Sequence, residues 1–185
     1  MIVPGRMFGP YQPLTFYAGL AAMARGAAVQ WVDWRPPDEL DGAAPAALKA
    51  WVVGEVAPVL DRVAGSAVLI GKSLGTYAAG LAAQRSLPAV WYTPLLLDDV
   101  VVAALRASTA PFLLVGGTAD VQYWDASVAR SLTPYVCEIE NADHGMMVPQ
   151  GLAASAAVLG EVTTAVERFL DDVVWPAAGH ATRMP

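Results

Sequence analysis

The sequence is short of cysteine, histidine and charge, and each shortage narrows what the chain can be. A single cysteine, Cys137, excludes an internal disulfide, and its place in an apolar run makes it a small buried filler rather than a reactive thiol. Only His144 and His180 are present for acid–base work. Charged residues make up 15% of the 185, and the net charge of −6 repels nucleic acid and anionic membranes, so neither is expected as a partner. No uninterrupted apolar stretch reaches the ~18 residues that span a bilayer. Met1-Ile2-Val3-Pro4-Gly5 leads directly into a strand-like segment with no basic region and no cleavage site. A signal peptide is therefore not expected, and a cytoplasmic location is.

What the chain has in quantity is apolar residues, 56% of the total, more than a two-layer fold with one wet face would bury. A parallel sheet covered on both faces by helices accommodates that excess, and 185 residues suit one domain. Strand-like runs are expected at Ile2-Val3, 29–34, 67–70, 89–92, 111–115 and 135–139. Helical spacing is expected at 14–25, from Pro45 to about 63, 77–85, from Asp98 or Asp99 to 106, 124–132 and 152–173. Six strands alternating with six helices imply an α/β three-layer sandwich with a mainly parallel sheet. Residues 1–174 form the expected domain and 175–185 a C-terminal tail.

The segment Ala67-Val-Leu-Ile-Gly-Lys-Ser-Leu-Gly-Thr76 organises the rest. An apolar run of strand character drops into Gly71-Lys72-Ser73-Leu74-Gly75 and then into alanine-rich helical composition. A serine at the apex of such a strand–turn–helix is pushed out over the end of the sheet, with glycines on either side giving the strand and helix room to pass. Gly71-Lys72-Ser73 is also the tail of a phosphate-binding P-loop. That motif needs a glycine where Ser66 stands, and its loop positions are here the strand-like Ala67, Val68, Leu69 and Ile70.

A serine hydroxyl needs a base, and His144, between Asp143 and Gly145 after the last expected strand, is the candidate; His180 lies in the tail. A carboxylate must orient the imidazole, and Asp120, just past Gly116-Gly117, is chosen over Asp98, Asp99, Asp125 and Asp143. Ser73, Asp120 and His144 each follow the carboxyl end of an expected strand, where open parallel sheets bind ligands. An oxyanion would need the Leu74 amide and a second amide from Arg6 or Met7 in the loop after the first strand. The same rim offers Met7, Phe8, Tyr11, Leu95, Tyr123, Trp124, Met146 and Met147 as pocket residues for an apolar acyl or aromatic group.

With the order Ser73, Asp120, His144 and the elbow Gly71-Lys72-Ser73-Leu74-Gly75, the chain resembles the α/β-hydrolase superfamily, in particular its small capless bacterial members of the dienelactone-hydrolase or carboxylesterase type, over roughly residues 2–173. The resemblance implies Ser73 as nucleophile, Asp120 as acid and His144 as base. It also implies cofactor-free hydrolysis of an ester, thioester or related acyl bond in a small-molecule substrate. The antiparallel strands that usually come first are missing, Pro4-Gly5 replaces the usual His-Gly oxyanion loop, and only Thr93–Leu97 follows the fourth expected strand, where a cap is commonly inserted. A binding scaffold without turnover and an acyltransferase using the same residues are the alternatives.

Overall fold

The structure, a computed structural model, describes residues 1–176. Five short strands form one sheet: β1 (Ile2–Val3), β2 (Leu69–Lys72), β3 (Ala89–Tyr92), β4 (Phe112–Gly117) and β5 (Val136–Ile139). They lie in sequence order and every pairing is parallel. Six α-helices connect and cover them: α1 (Pro13–Ala24), α2 (Pro45–Leu60), α3 (Ala79–Gln84), α4 (Asp99–Arg106), α5 (Ala126–Leu132) and α6 (Leu152–Phe169). None of these helices is long and apolar enough to cross a membrane.

The sheet is buried on both faces, and the two-residue side-chain period of a strand sorts its residues between them. Val3, Leu69, Trp91 and Leu114 join one apolar cluster with α2, α3, α4 and α5. Their neighbours Ile2, Ile70, Val90 and Leu113 join a second with α1 and α6. Cys137 is half-buried in that second cluster, and burial pushes its thiol up to about 11, which keeps it protonated and inert near neutral pH. Trp175, the first residue of the expected tail, also packs there, its N–H donating to Leu170 O. The rest of that tail beyond residue 176, His180 included, lies outside the described residues.

The expected sixth strand at 29–34 is reduced to one bridge between Ile2 and Trp31, with Ile2 donating to Gln30 O and Val32 to Ile2 O. The cause lies in its partner. β1 is two residues long and stops at Pro4, which has no N–H to continue a ladder. A longer partner has nothing further to pair with.

This reduced strand still fixes the winding of the chain. From β1 the chain runs along one face through α1 to 29–34 on the outer side of β1. It then crosses the other face through α2 to β2 on the inner side. The direction of winding therefore reverses between β1 and β2, and a crevice opens beyond their carboxyl ends at such a switch point.

Candidate active site

Ser73 stands at that crevice. β2 ends at Lys72 and a 3-10 turn, Ser73–Ala78, begins at once and feeds α3. Ser73 has φ of 50°, the left-handed region that a non-glycine residue occupies only under constraint. The constraint comes from the two flanking glycines. A Cβ on Gly75 would stand 2.6 Å from Val3 O and 2.8 Å from Pro4 O, and one on Gly71 would meet the Trp91 ring at 2.5 Å. Only bare backbone lets the turn lie against β1 and β3 while Ser73 projects from its apex.

Asp120 follows β4 by three residues and is buried, with its carboxylate 2.6 Å from His144 Nδ1. His144, in the loop after β5, places Nε2 2.8 Å from Ser73 Oγ. A carboxylate only accepts, so Nδ1 carries the proton and donates to Asp120, which leaves Nε2 free to accept from the Ser73 hydroxyl. Three side chains far apart in sequence thus form one hydrogen-bonded line. The rival carboxylates are engaged elsewhere. Asp98 caps α4 through Val100 N–H and accepts from Tyr77 Oη. Asp125 caps α5, and Asp143 Oδ1 accepts from the amides of Gly145 and Met147 within its own turn.

A cavity of about 610 Å3 opens over Ser73. Of the expected residues, Arg6, Met7, Phe8, Leu74, Leu95 and Tyr123 line it. The Tyr123 ring lies 4.6 Å from the His144 ring. The Arg6 guanidinium is turned aside, bonded to Asp41 Oδ1 at 2.5 Å and Leu40 O at 2.8 Å, so the contribution of Arg6 to chemistry would be through its backbone. The loop that holds Arg6 and Met7 is pinned by Trp34 Nε1 donating to Gly5 O and by Gly5 N–H donating to Phe8 O.

Four expected pocket residues are elsewhere. Tyr11 projects largely into solvent with its ring 5.3 Å from that of Trp31. Trp124 lies flat on Gly116, where an added Cβ would sit 2.1 Å from the indole, and its Nε1 donates to Glu138. Met146 has φ of 62°, which turns its side chain down into the cluster under α1 and α6. Met147 is half-exposed outside the cavity. Being near the rim in sequence does not decide which way a side chain points. Leu48, Tyr77, Leu97, Asp98 and Gln122 line the cavity without having been expected there. The first two come from helical segments, where the 3.6-residue face was the available signal.

Lys72, also unexpected, is 3% exposed although it is charged. Its Nζ donates to Thr93 Oγ1 at 3.1 Å and to His144 O at 3.0 Å, and stands 4.8 Å from the centre of the Phe8 ring. Burial lowers its ammonium to about 8, against the opposing attraction of Asp120 and Asp143. Thr93 itself is buried with φ of 40°, a strained conformation for a β-branched residue.

No family profile matches the sequence, and no curated protein does. Solved structures do match. A protein of the alpha/beta hydrolase superfamily from Xanthomonas campestris pv. campestris is 17% identical, with 93% of this chain and 97% of that one covered at a TM-score of 0.61. A monoacylglycerol lipase from Paleococcus ferrophilus is also 17% identical, covering 89% and 93% at 0.57. An a/b serine hydrolase without lid from Xanthomonas campestris is 16% identical, covering 91% and 81% at 0.52. Likeness at such low identity speaks for architecture alone, and it agrees with the parallel sheet flanked by helices and with the short Thr93–Asp98 connection between β3 and α4. The chain has the α/β-hydrolase fold, with five strands and no cap among the described residues.

Proposed function

We propose that this protein is a serine hydrolase that cleaves an ester, thioester or related acyl bond through an acyl-enzyme. The observation that carries the reading is the unbroken line Asp120–His144–Ser73, at 2.6 and 2.8 Å, ending at the cavity mouth. His144 Nε2 takes the Ser73 proton as Oγ attacks the acyl carbon, and Asp120 stabilises the imidazolium. The tetrahedral oxyanion rests on the Leu74 amide and on that of Arg6 or Met7. Its collapse expels the alcohol or thiol, which leaves with the proton from His144. Water then attacks the acyl-serine, giving its proton to His144, and the acid departs with Ser73 restored. The chemistry needs no metal or cofactor.

The lining favours an apolar acyl group. Phe8, Leu48, Leu74, Leu95 and Leu97 contribute to a lining whose surface is mostly apolar, and the volume lies within the range of small-molecule sites. The lipase among the structural neighbours acts on an acyl ester, which points the same way. We further propose a cytoplasmic location, in keeping with the single cysteine. Hydrolysis of p-nitrophenyl esters from acetate to decanoate tests it. Turnover by the wild type that disappears in Ser73→Ala supports the proposal; equal rates in both contradict it. Product analysis with added alcohol and amine acceptors distinguishes hydrolysis from acyl transfer.

A further inference from the structure

A charged lysine buried beside the serine is costly, and the mechanism just described gives it no task. Its position suggests one. The His144 loop closes on itself through Asp143, which donates to Met147 O and accepts from Met146, Gly145 and Met147 amides. Such a turn fixes its own shape and leaves its height above the sheet open. From the sheet side, Ala119 N–H reaches Ala142 O, two residues before the histidine. Lys72 reaches the His144 carbonyl itself.

We infer that Lys72 is a positioning residue: its ammonium, bonded to Thr93 Oγ1 at the end of β3 and to His144 O, sets the height at which the imidazole meets Ser73. The inference rests on the serine-hydrolase reading for its catalytic consequence, though not for its geometry. With two hydrogen bonds made and the Phe8 ring on a third side, the ammonium is committed to the protein rather than to a substrate carboxylate. The anchor is itself rigid: Thr93 donates its N–H to Val115 O at 2.7 Å and is fully buried. Lysine suits this role because its ammonium donates in several directions at once from a flexible stem. The charged groups around it are Asp120 after β4, Asp143 in the histidine loop and Arg6 across the cavity. Loss of the strut would let His144 drift, and a displacement of about 1 Å costs on the order of 10²-fold in rate.

The test uses the full chain with Lys72→Met, Thr93→Val and Thr93→Ser, the last keeping the hydroxyl that accepts from Lys72. Nitrogen-15 NMR of the imidazoles gives a readout independent of turnover, and His144→Ala identifies which of the two histidines is observed. The wild type and Thr93→Ser are expected to hold His144 as the Nδ1–H tautomer, whereas Lys72→Met and Thr93→Val shift toward the Nε2–H form that free imidazole prefers. Ser73 phosphonylation is expected to slow by about 10²-fold in Lys72→Met and by about tenfold in Thr93→Val, with KM for an ester changed less than about twofold. Thr93→Ser should restore the rate. A folded Lys72→Met that keeps both the tautomer and the rate overturns the inference. Where Lys72→Met does not fold, the contrast between Thr93→Val and Thr93→Ser decides in the same way. A wild type that shows the tautomer pattern but reacts with no phosphonate would contradict the hydrolase reading while leaving the positional inference standing.

Discussion

The Asp120 carboxylate, 4% exposed, lies 2.6 Å from Nδ1 of a half-exposed His144. The buried member of the pair therefore orients the more exposed one. Asp120→Asn keeps the size of the side chain but presents an amide donor as readily as an acceptor, which favours the wrong tautomer. We expect kcat for an ester to fall by about 10⁴-fold with the folded spectrum unchanged. Stopped-flow acylation and circular dichroism on the same sample check both halves.

Gly75 and Gly80 lie in the same serine-turn-to-helix segment and should respond oppositely to alanine. At Gly75 a Cβ would press on the backbone oxygens of Val3 and Pro4, at 2.6 and 2.8 Å, and neither can yield without moving the Pro4-Gly5 loop. Gly75→Ala should destabilise the fold by about 1–3 kcal/mol and slow acylation through the displaced loop. At Gly80, within α3, the nearest atom to a new Cβ is Lys49 Cε at 3.9 Å. Gly80→Ala should gain about 0.5–1 kcal/mol. Urea denaturation of the two variants measures the difference.

Lys72 should leave a mark on stability above neutral pH. In the unfolded chain its ammonium ionises near 10.5, and in the fold near 8 because of burial. Between those values the unfolded chain holds a proton that the folded chain has released, so stability rises with pH across that window. The cost of burying the charge is fully present below pH 8 and relieved by 10.5. The change amounts to at most about 3 kcal/mol. Wild type should gain on Lys72→Met by that order when both are unfolded in urea at pH 7.5 and pH 10.

The cavity makes a prediction about substrate. Leu95 is half-buried and lines the cavity in the short connection where a cap would otherwise stand. Leu95→Trp should fill part of the acyl space, shifting the preferred p-nitrophenyl ester to a shorter chain by raising KM for long acyl groups with little change in kcat for acetate. A chain-length series in both proteins checks it.

The serine turn, the carboxylate and the histidine were legible in the sequence because each follows a strand, and a parallel sheet brings all its strand ends to one edge. The six helices were legible from apolar spacing and, at Pro45 and Asp98, from their starting residues. What escaped is the direction of side chains and the extent of pairing. Trp124 and Met146 sit near the rim but turn inward, one against a glycine and one through a left-handed backbone. The segment 29–34 has strand composition, yet its partner is too short to make it a strand. Lys72 was not legible either, because the expected strand ended at Ile70 whereas β2 runs on to Lys72. It falls inside a strand buried at every position, so its charge had to be enclosed and bonded.

The most direct test of the account is intact-protein mass after incubation with a fluorophosphonate. A single phosphonyl adduct on the wild type, mapped to the peptide containing Ser73 and absent from Ser73→Ala, is the predicted result. No adduct on the wild type, or an adduct that persists unchanged in Ser73→Ala, would contradict the claim that Ser73, activated by His144 and Asp120, is the nucleophile.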